Sequence, residues 1–431
     1  MNFLLIYYVG ESFSVRLQIL MSESCNSRHF SWLMKSCFPN QNHKSLIITP
    51  QQLNAAVPLT LSSLPDDLLL ECLSRVPSSA LPSLSLVCRR WFYLILSPSF
   101  LLLRHQLRLL HPSVFAFSAT ESGVFAATLS FSLPDHCHAA NWDLSLCLPV
   151  NTASLHGVSR LVSVGPRVYM IGRDSMLRYN TWTQHVNAKS PMLFSRKKFA
   201  AAVVSNKIYV AGGSRAASAV EEYDPESDTW RVVAYSQRRR YGCVGAAVDG
   251  VFYVIGGLKI GGACADGVGR IEAHVYASSM DLFDVEARVW LRSRAVPGGG
   301  CVVAACAVAG YVYVLTSHAV ELSFWRFDAR RKSGGGGEGF GEWCRMKSPP
   351  MPTQIRLDGT VRFCCVGVGD NKVIFVQVVG CIDDLLRRSG RSQRGFKDGL
   401  VLVYDSDGGE WSRAPNLPEV IRRAACVSVE C

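Results

Sequence analysis

Apolar residues in the last two-thirds of the chain come in short runs separated by glycines and polar turns. VYMIG (168–172), IYVAGG (208–213), FYVIGG (252–257), VYVLTS (312–317) and VIFVQV (373–378) are β-branched and aromatic, the composition of buried strands. Their starts lie 40, 44, 60 and 61 residues apart, so one unit recurs, with insertions in its later copies. A second apolar run and a tight turn precede four of them: FAAAVVSNK (199–207), GCVGAAVDG (242–250), CVVAACAVAG (301–310) and FCCVGVGDNK (363–372). Asn206, Asp249–Gly250 and Asp370–Asn371 supply residues that tolerate positive φ in hairpins. An aromatic and a carboxylate or amide follow each unit's central run: Tyr179–Asn180, Tyr223–Asp224, Phe283–Asp284, Phe327–Asp328 and Tyr404–Asp405. A tryptophan then closes the unit: Trp182, Trp230, Trp290, Trp343 and Trp411. In three units the aromatic and the tryptophan stand seven apart, the spacing of a hairpin whose turn the aspartate opens.

Each unit thus predicts four short antiparallel strands. An isolated sheet of that size with two apolar faces stays soluble only if both faces are covered, and radial stacking around an axis covers both. A sixth unit is assembled from VFAFSA (114–119), FAATLSFSL (125–133) and Trp142, with the tail RAACVSVEC (423–431) as its missing first strand. Closure by a strand from the far end of the chain removes the exposed edges of the ring. The alternative is that 114–142 forms a linking layer and the ring has another blade count.

Ahead of the strands the period changes. In LPDDLLLECLSRV (64–76), Leu68, Leu69, Cys72, Leu73 and Val76 recur at helical spacing. Pro65, Asp66 and Asp67 suit a helix start, and Val76–Pro77 ends it. Leu81, Leu84, Val87, Cys88, Trp91, Leu94 and Ile95 form a second stripe, whose helix Pro82 sets to begin near Ser83. A helical hairpin over 62–106 is too small to bury a sufficient core alone. Either it packs on the strands that follow, or a partner completes it.

Composition narrows the classes. At 431 residues the chain allows two or three domains, and a net charge of +11 points to an acidic partner or to basic loops. The sixteen cysteines include no C-x-x-C pair, and His136-Cys137-His138 lacks a second ligand cluster at zinc spacing. They read as reduced, mostly buried thiols of an intracellular protein. The apolar start MNFLLIYYV has no basic flank and is too short to span a bilayer, and Met21 opens a more ordinary start, so residues 1–20 read as an extension. Residues 1–59 as a whole are expected to be an unfolded extension.

The double glycine, tyrosine and tryptophan pattern resembles the kelch repeat. The match is good at 196–232 and 240–292 and degrades elsewhere: Thr316–Ser317 and Gln377–Val378 replace the glycines, and 155–186 keeps only Gly172. LPDDLLLECLSRVPSSALPSLSLVCRRWFYLILSPSF resembles the F-box in its Leu-Pro opening, leucine-rich first helix, Val-Cys-Arg-x-Trp second helix and Ser-Pro-x-Phe exit. The chain is therefore similar to plant F-box/kelch-repeat proteins over about residues 60–431. That resemblance implies a small all-α F-box at 60–106 followed by an all-β kelch-type propeller at 113–431, six-bladed and closed by the C-terminal strand. It implies the substrate receptor of a Skp–cullin–F-box ubiquitin ligase, partnered by a Skp-type adaptor and through it a cullin, in the cytoplasm, the nucleus or both. The family's adaptor contact carries over to Leu64, Pro65, Leu68, Leu69, Leu73, Leu84, Val87, Cys88 and Trp91, some of which must instead form the F-box's own core. A propeller scaffold with no ligase role is the second reading, and adaptor binding separates the two.

Catalysis would require metal ligands or paired carboxylates gathered at the axis. The ten histidines are scattered and fall on no corresponding strands, and GGGGEG (334–339) precedes no helix and so fails as a nucleotide loop. A non-catalytic receptor is expected, with no cofactor, no metal and no membrane span. Nucleic-acid binding lacks interleaved aromatics and a known motif. In a four-stranded blade, the loops joining second to third strands share one face with the segments joining successive blades. The insertions 258–278 and 379–399 and the segment SQRRRYG (236–242) then place Arg238, Arg239, Arg240, Arg270, Arg387, Arg388, Arg391 and Arg394 around one rim. Such a rim suits an acidic or phosphorylated protein segment, because the guanidinium fork pairs bidentately with carboxylate or phosphate. The alternative for these loops is a solvated, disordered role in solubility. The DARRKSGGGGEGFG insertion joins third and fourth strands and is expected on the opposite face.

Overall fold

The computed structural model describes residues 63–431 except 121–122, 132–140, 150–159, 215, 260–275, 319–320, 331–340, 352–360, 380–398 and 422–423. The expected N-terminal extension, the His136–His138 run and most of the long insertions lie outside the described residues.

Four helices open the described chain: α1 (Asp66–Ser74), α2 (Leu81–Ser85), α3 (Arg89–Leu96) and α4 (Pro98–Gln106). Pro65 sits immediately before α1, and the acidic pair Asp66 and Asp67 occupies its first turn. The single second helix expected from the sequence is two. Pro82 is accommodated in the first turn of α2, which starts at Leu81 rather than near Ser83, since an N–H there has no helical partner. The chain then breaks at Leu86–Cys88, where Cys88 is fully extended, before α3 resumes. Ser97 caps α4, its Oγ accepting from the Phe100 N–H at 3.2 Å. Leu69, Leu73, Leu81, Leu84, Ile95 and Phe100 bury themselves among the four helices.

Among the described residues six antiparallel blade sheets follow, five of four strands and one of five, each starting from an inner strand. The first five blades run in chain order, with inner strands Arg160–Val164, Ala200–Val204, Val244–Val248, Cys301–Val308 and Val361–Val368. In the third blade the outer strand is interrupted, so that Val289–Trp290 and Arg294–Ala295 both pair with Ser279–Asp284. The sixth blade is composite. The tail strand Ala425–Glu430 is innermost and pairs with Pro112–Thr120, followed by Gly123–Ser130 and Asp143–Pro149. Inner strands of successive blades pack in a closed cycle, the tail strand lying between those of the fifth and first blades. Six-bladed closure by the C-terminus is therefore the observed arrangement.

The repeat residues do what their chemistry suggests. Asp224 Oδ1 accepts from the Glu226 N–H at 3.0 Å, Asp284 Oδ1 from Ala287 at 2.9 Å and Asp405 Oδ1 from Asp407 at 2.9 Å, shaping each outer hairpin. The closing tryptophans pack on their blade's aromatic in tilted pairs with ring centroids 5.0–5.1 Å apart: Tyr223–Trp230, Phe283–Trp290, Phe327–Trp343 and Tyr404–Trp411. Three of them also reach the backbone leaving the preceding blade, donating Nε1–H to the carbonyls of Ser190, Tyr235 and Lys347 at 2.8 Å. Each therefore ties two blades together. Glycine is required at Gly212 and Gly213, where φ is +77° and +71° and a Cβ would lie 2.8 Å and 2.6 Å from backbone oxygens. In the fifth blade the positive φ of the inner hairpin falls on Gly369 and not on the expected Asp370–Asn371.

Candidate functional site: an apolar helical edge and a propeller rim

The nine residues that the sequence assigns to an adaptor contact divide by burial. Leu69, Leu73 and Leu84 are at most 4% exposed and belong to the helical core. Leu64 and Trp91 are half-buried. Pro65, Leu68, Val87 and Cys88 face solvent, Leu68 at 50% and Val87 at 60%. The structure adds two residues that helical periodicity could not find. Leu86, 84% exposed, lies in the break between α2 and α3, and Tyr93, 67% exposed, lies on the outer side of α3. A break in a helix resets its phase, so a continuous stripe drawn through 81–95 loses its meaning beyond Ser85. Arg90 fixes the edge: its Nε donates to Asp66 Oδ1 at 2.7 Å and Nη2 to the Leu64 carbonyl, joining the start of α1 to α3.

The opposite side of the helices is taken up by the propeller. Phe100 meets Trp182 edge-to-face at 5.1 Å, Phe92 meets His185 at 5.9 Å, and Arg167 Nη2 reaches the Leu96 carbonyl at 3.4 Å. Arg104 is 2% exposed and stands 5.9 Å from the Phe100 ring and 6.0 Å from that of Trp182. Its guanidinium donates to the carbonyls of Ser74, Val76 and Leu109 and to Ser78 Oγ. Burial pulls its pKa below the usual arginine range, opposed by the charge of Cys431 at the chain's end. This explains the contracted spacing in the first unit. Trp182 sits in the turn after the third strand, three residues from Tyr179, and packs on a helix in place of its own blade's aromatic. Trp182→Ala should lower stability by about 3 kcal/mol, the low end for a buried aromatic. Amide exchange should rise in 98–106; protection unchanged there would refute the contact.

Trp182, His185 and the Gly165 turn belong to connections between first and second or third and fourth strands, so the helices occupy that end of the propeller. The other end carries the segments between blades. There, Arg240–Tyr241 pairs with Leu258–Lys259, which puts the inter-blade segment and the start of the 258–278 insertion side by side. Of the eight rim arginines, Arg270, Arg387, Arg388, Arg391 and Arg394 lie outside the described residues. Arg239 is exposed and Arg238 half-buried, with Nη1 3.2 Å from Asp281 Oδ1. Arg240 has to be taken off the rim. It is 1% exposed, its Nε donates to Asp281 Oδ2 at 2.7 Å, and its other nitrogens reach the Gly256 and Tyr276 carbonyls and Ser279 Oγ. Arg196 does the same in the second blade, bonding Glu221 Oε1 at 2.7 Å and the carbonyls of Gly212 and Ala219. Both arginines lie 16 residues before the glycine whose carbonyl they hold, a signal visible in the sequence. Arg240→Ala should cost about 3–5 kcal/mol, because it removes the buried partner of Asp281 Oδ2 and the donors to the Gly256 and Tyr276 carbonyls, whereas Arg239→Ala should stay within about 0.5 kcal/mol, both read from urea unfolding.

Two family models match within this architecture: the F-box domain over residues 61–103 and the Kelch motif over 195–236. An Arabidopsis thaliana F-box/kelch-repeat protein is 62% identical over 422 residues, which is 95% of this chain and 100% of that protein. The chain belongs to the F-box/kelch-repeat family. Other members align over less of their length: the F-box protein AFR of Arabidopsis thaliana is 29% identical, covering 40% of this chain and 49% of that protein. Another F-box/kelch-repeat protein of the same plant is 26% identical, covering 45% and 54%. F-box/kelch-repeat proteins join a helical module to a propeller, as the helices and blades described above do.

Proposed function

We propose that this F-box/kelch-repeat protein is the substrate-recognition subunit of a Skp–cullin–F-box ubiquitin ligase. The observation that carries the reading is the exposure of four apolar side chains, Leu68, Leu86, Val87 and Tyr93, in a helical module whose α3 and α4 already pack against the propeller through Phe92 and Phe100. Those four side chains are the surface for a Skp-type adaptor, which recruits a cullin in turn. The receptor makes and breaks no bonds itself; it holds a target near a ubiquitin donor, in the cytoplasm, the nucleus or both. Co-elution of the full chain with a purified Skp-type adaptor on size exclusion tests it. Separate elution at micromolar concentrations would leave the scaffold reading in its place.

For the target, the face remote from the helices is the one that no described helix covers. Arg239, with Arg238 beside it, supports an acidic or phosphorylated protein segment as the ligand. Arg239→Glu should then reduce capture of the cellular target at least about tenfold, the loss of roughly one charge-assisted pair, with adaptor binding intact. Equal target recovery with the variant would remove this rim from the proposal.

A further inference from the structure

Four cysteines stand in two pairs across neighbouring inner strands, one pair between the fourth and fifth blades and the other where the tail strand meets the fifth. Cys306, on the fourth blade's inner strand, and Cys365, on the fifth's, bring their sulfurs within 2.9 Å. The adjacent residue Cys364 points the other way, into the core between the fifth and sixth blades, where Cys426 of the tail strand packs as well. Those two thiols are hydrogen-bonded to each other. Alternation along a strand produces this arrangement: successive side chains leave opposite faces, so a Cys-Cys pair serves both neighbouring blades. Of the ten cysteines whose side chains are described, Cys88, Cys301 and Cys344 are exposed and the other seven are buried or half-buried, the four of these two pairs among them.

We infer that the propeller carries a redox clasp, in which a peroxide oxidises Cys306 with Cys365 and Cys364 with Cys426 to two inter-blade disulfides. The geometry asks little of the chain. A disulfide bond is about 2.0 Å long, so the first pair closes by less than about an ångström of sulfur movement. The second pair has a nucleophile ready. The Cys426 S–H donated to Cys364, together with the nearby Arg160 charge, outweighs burial and holds the Cys364 thiol down at about 7. The first pair starts less readily, because burial and the neighbouring Cys306 push the Cys365 thiol well up. In either pair the attacking sulfur, as its thiolate, breaks the peroxide O–O bond, forming a sulfenic acid and releasing water once the leaving hydroxide is protonated. The partner sulfur then attacks the sulfenyl sulfur and expels a second water. Two thiols and one hydrogen peroxide thus become one disulfide and two waters, with two electrons passing from sulfur to oxygen.

The consequence is topological. A link from Cys364 to Cys426 fastens the tail strand to the fifth blade, and one from Cys306 to Cys365 fastens the fifth blade to the fourth. The strand that closes the ring from the far end of the chain then cannot peel away. This inference does not depend on the ligase reading.

The test treats the full chain with hydrogen peroxide, blocks remaining thiols under denaturing conditions and maps cross-linked peptides by mass spectrometry. The expected products join 306 to 365 and 364 to 426, with a melting temperature raised by about 5 °C and returned by dithiothreitol. Cys365→Ser should abolish the first link and Cys364→Ser the second, while Cys301→Ser leaves both. Peroxide-treated protein in which these four residues stay reduced, go singly to sulfinic acid, or pair with the exposed Cys88 or Cys344 overturns the clasp. So does correct cross-linking with an unmoved melting temperature, because the links would then fasten nothing.

Discussion

Aspartate at both Leu68 and Val87 will abolish capture of a Skp-type adaptor while leaving the protein folded. Both side chains are at least half exposed in the free chain, so the change should alter unfolding free energy by no more than about 0.5–1 kcal/mol. In the complex they would be buried, and each replacement removes apolar contact worth roughly 1.5 kcal/mol and sets an unpaired carboxylate in a dry interface. Together they amount to a loss of affinity of at least about 100-fold. Isothermal titration against the adaptor reads the loss, and thermal unfolding of the variant alone confirms the fold. Leu69 is unsuitable for this experiment although it neighbours Leu68. At 2% exposure it supports the helical core, and its truncation would unfold the module and mimic a lost contact. Full adaptor affinity in the double aspartate variant would mean that the edge is not the docking surface.

Removing residues 420–431 will leave a protein that does not hold a native propeller. The tail strand supplies six residue pairs to Pro112–Phe117, and its loss exposes that strand's edge to other molecules. Ile421, Val427 and Val429, all at most 7% exposed, leave the cores on either side of the sixth blade. At about 1.5–3 kcal/mol each, their burial approaches 5–9 kcal/mol, comparable with the whole stability of an ordinary domain. Aggregation on expression, or a melting temperature lowered by well over about 10 °C, is the expected result. Val427→Asp, which keeps the chain length, should act in the same direction. A soluble truncation with unaltered melting would show that the ring closes without its tail.

The parts whose cause is local could be read from the chain alone. Alternating apolar runs, Asn206 and Asp249–Gly250 at hairpins, and the aspartate that opens each outer turn depend on residues within a few positions of one another. The five in-line blades were legible for that reason, as was α1. The closing strand was legible by elimination, since RAACVSVEC had strand character and no neighbour in sequence to pair with. The rest needed the folded chain, because burial depends on what arrives from elsewhere in it. Leu68 and Leu69 are chemically alike, and only the packing of α2 to α4 makes one a core residue and the other a surface. Arg239 and Arg240 are identical in type, yet Asp281 and the Gly256 carbonyl, brought in by the third blade, draw one inside and leave the other in water. Trp182 belongs by pattern to its blade, but a helix beside it offers Phe100 and Arg104, and the shortened turn delivers it there. Periodicity records which side chains avoid water; the partner each one finds is a property of the assembled ring.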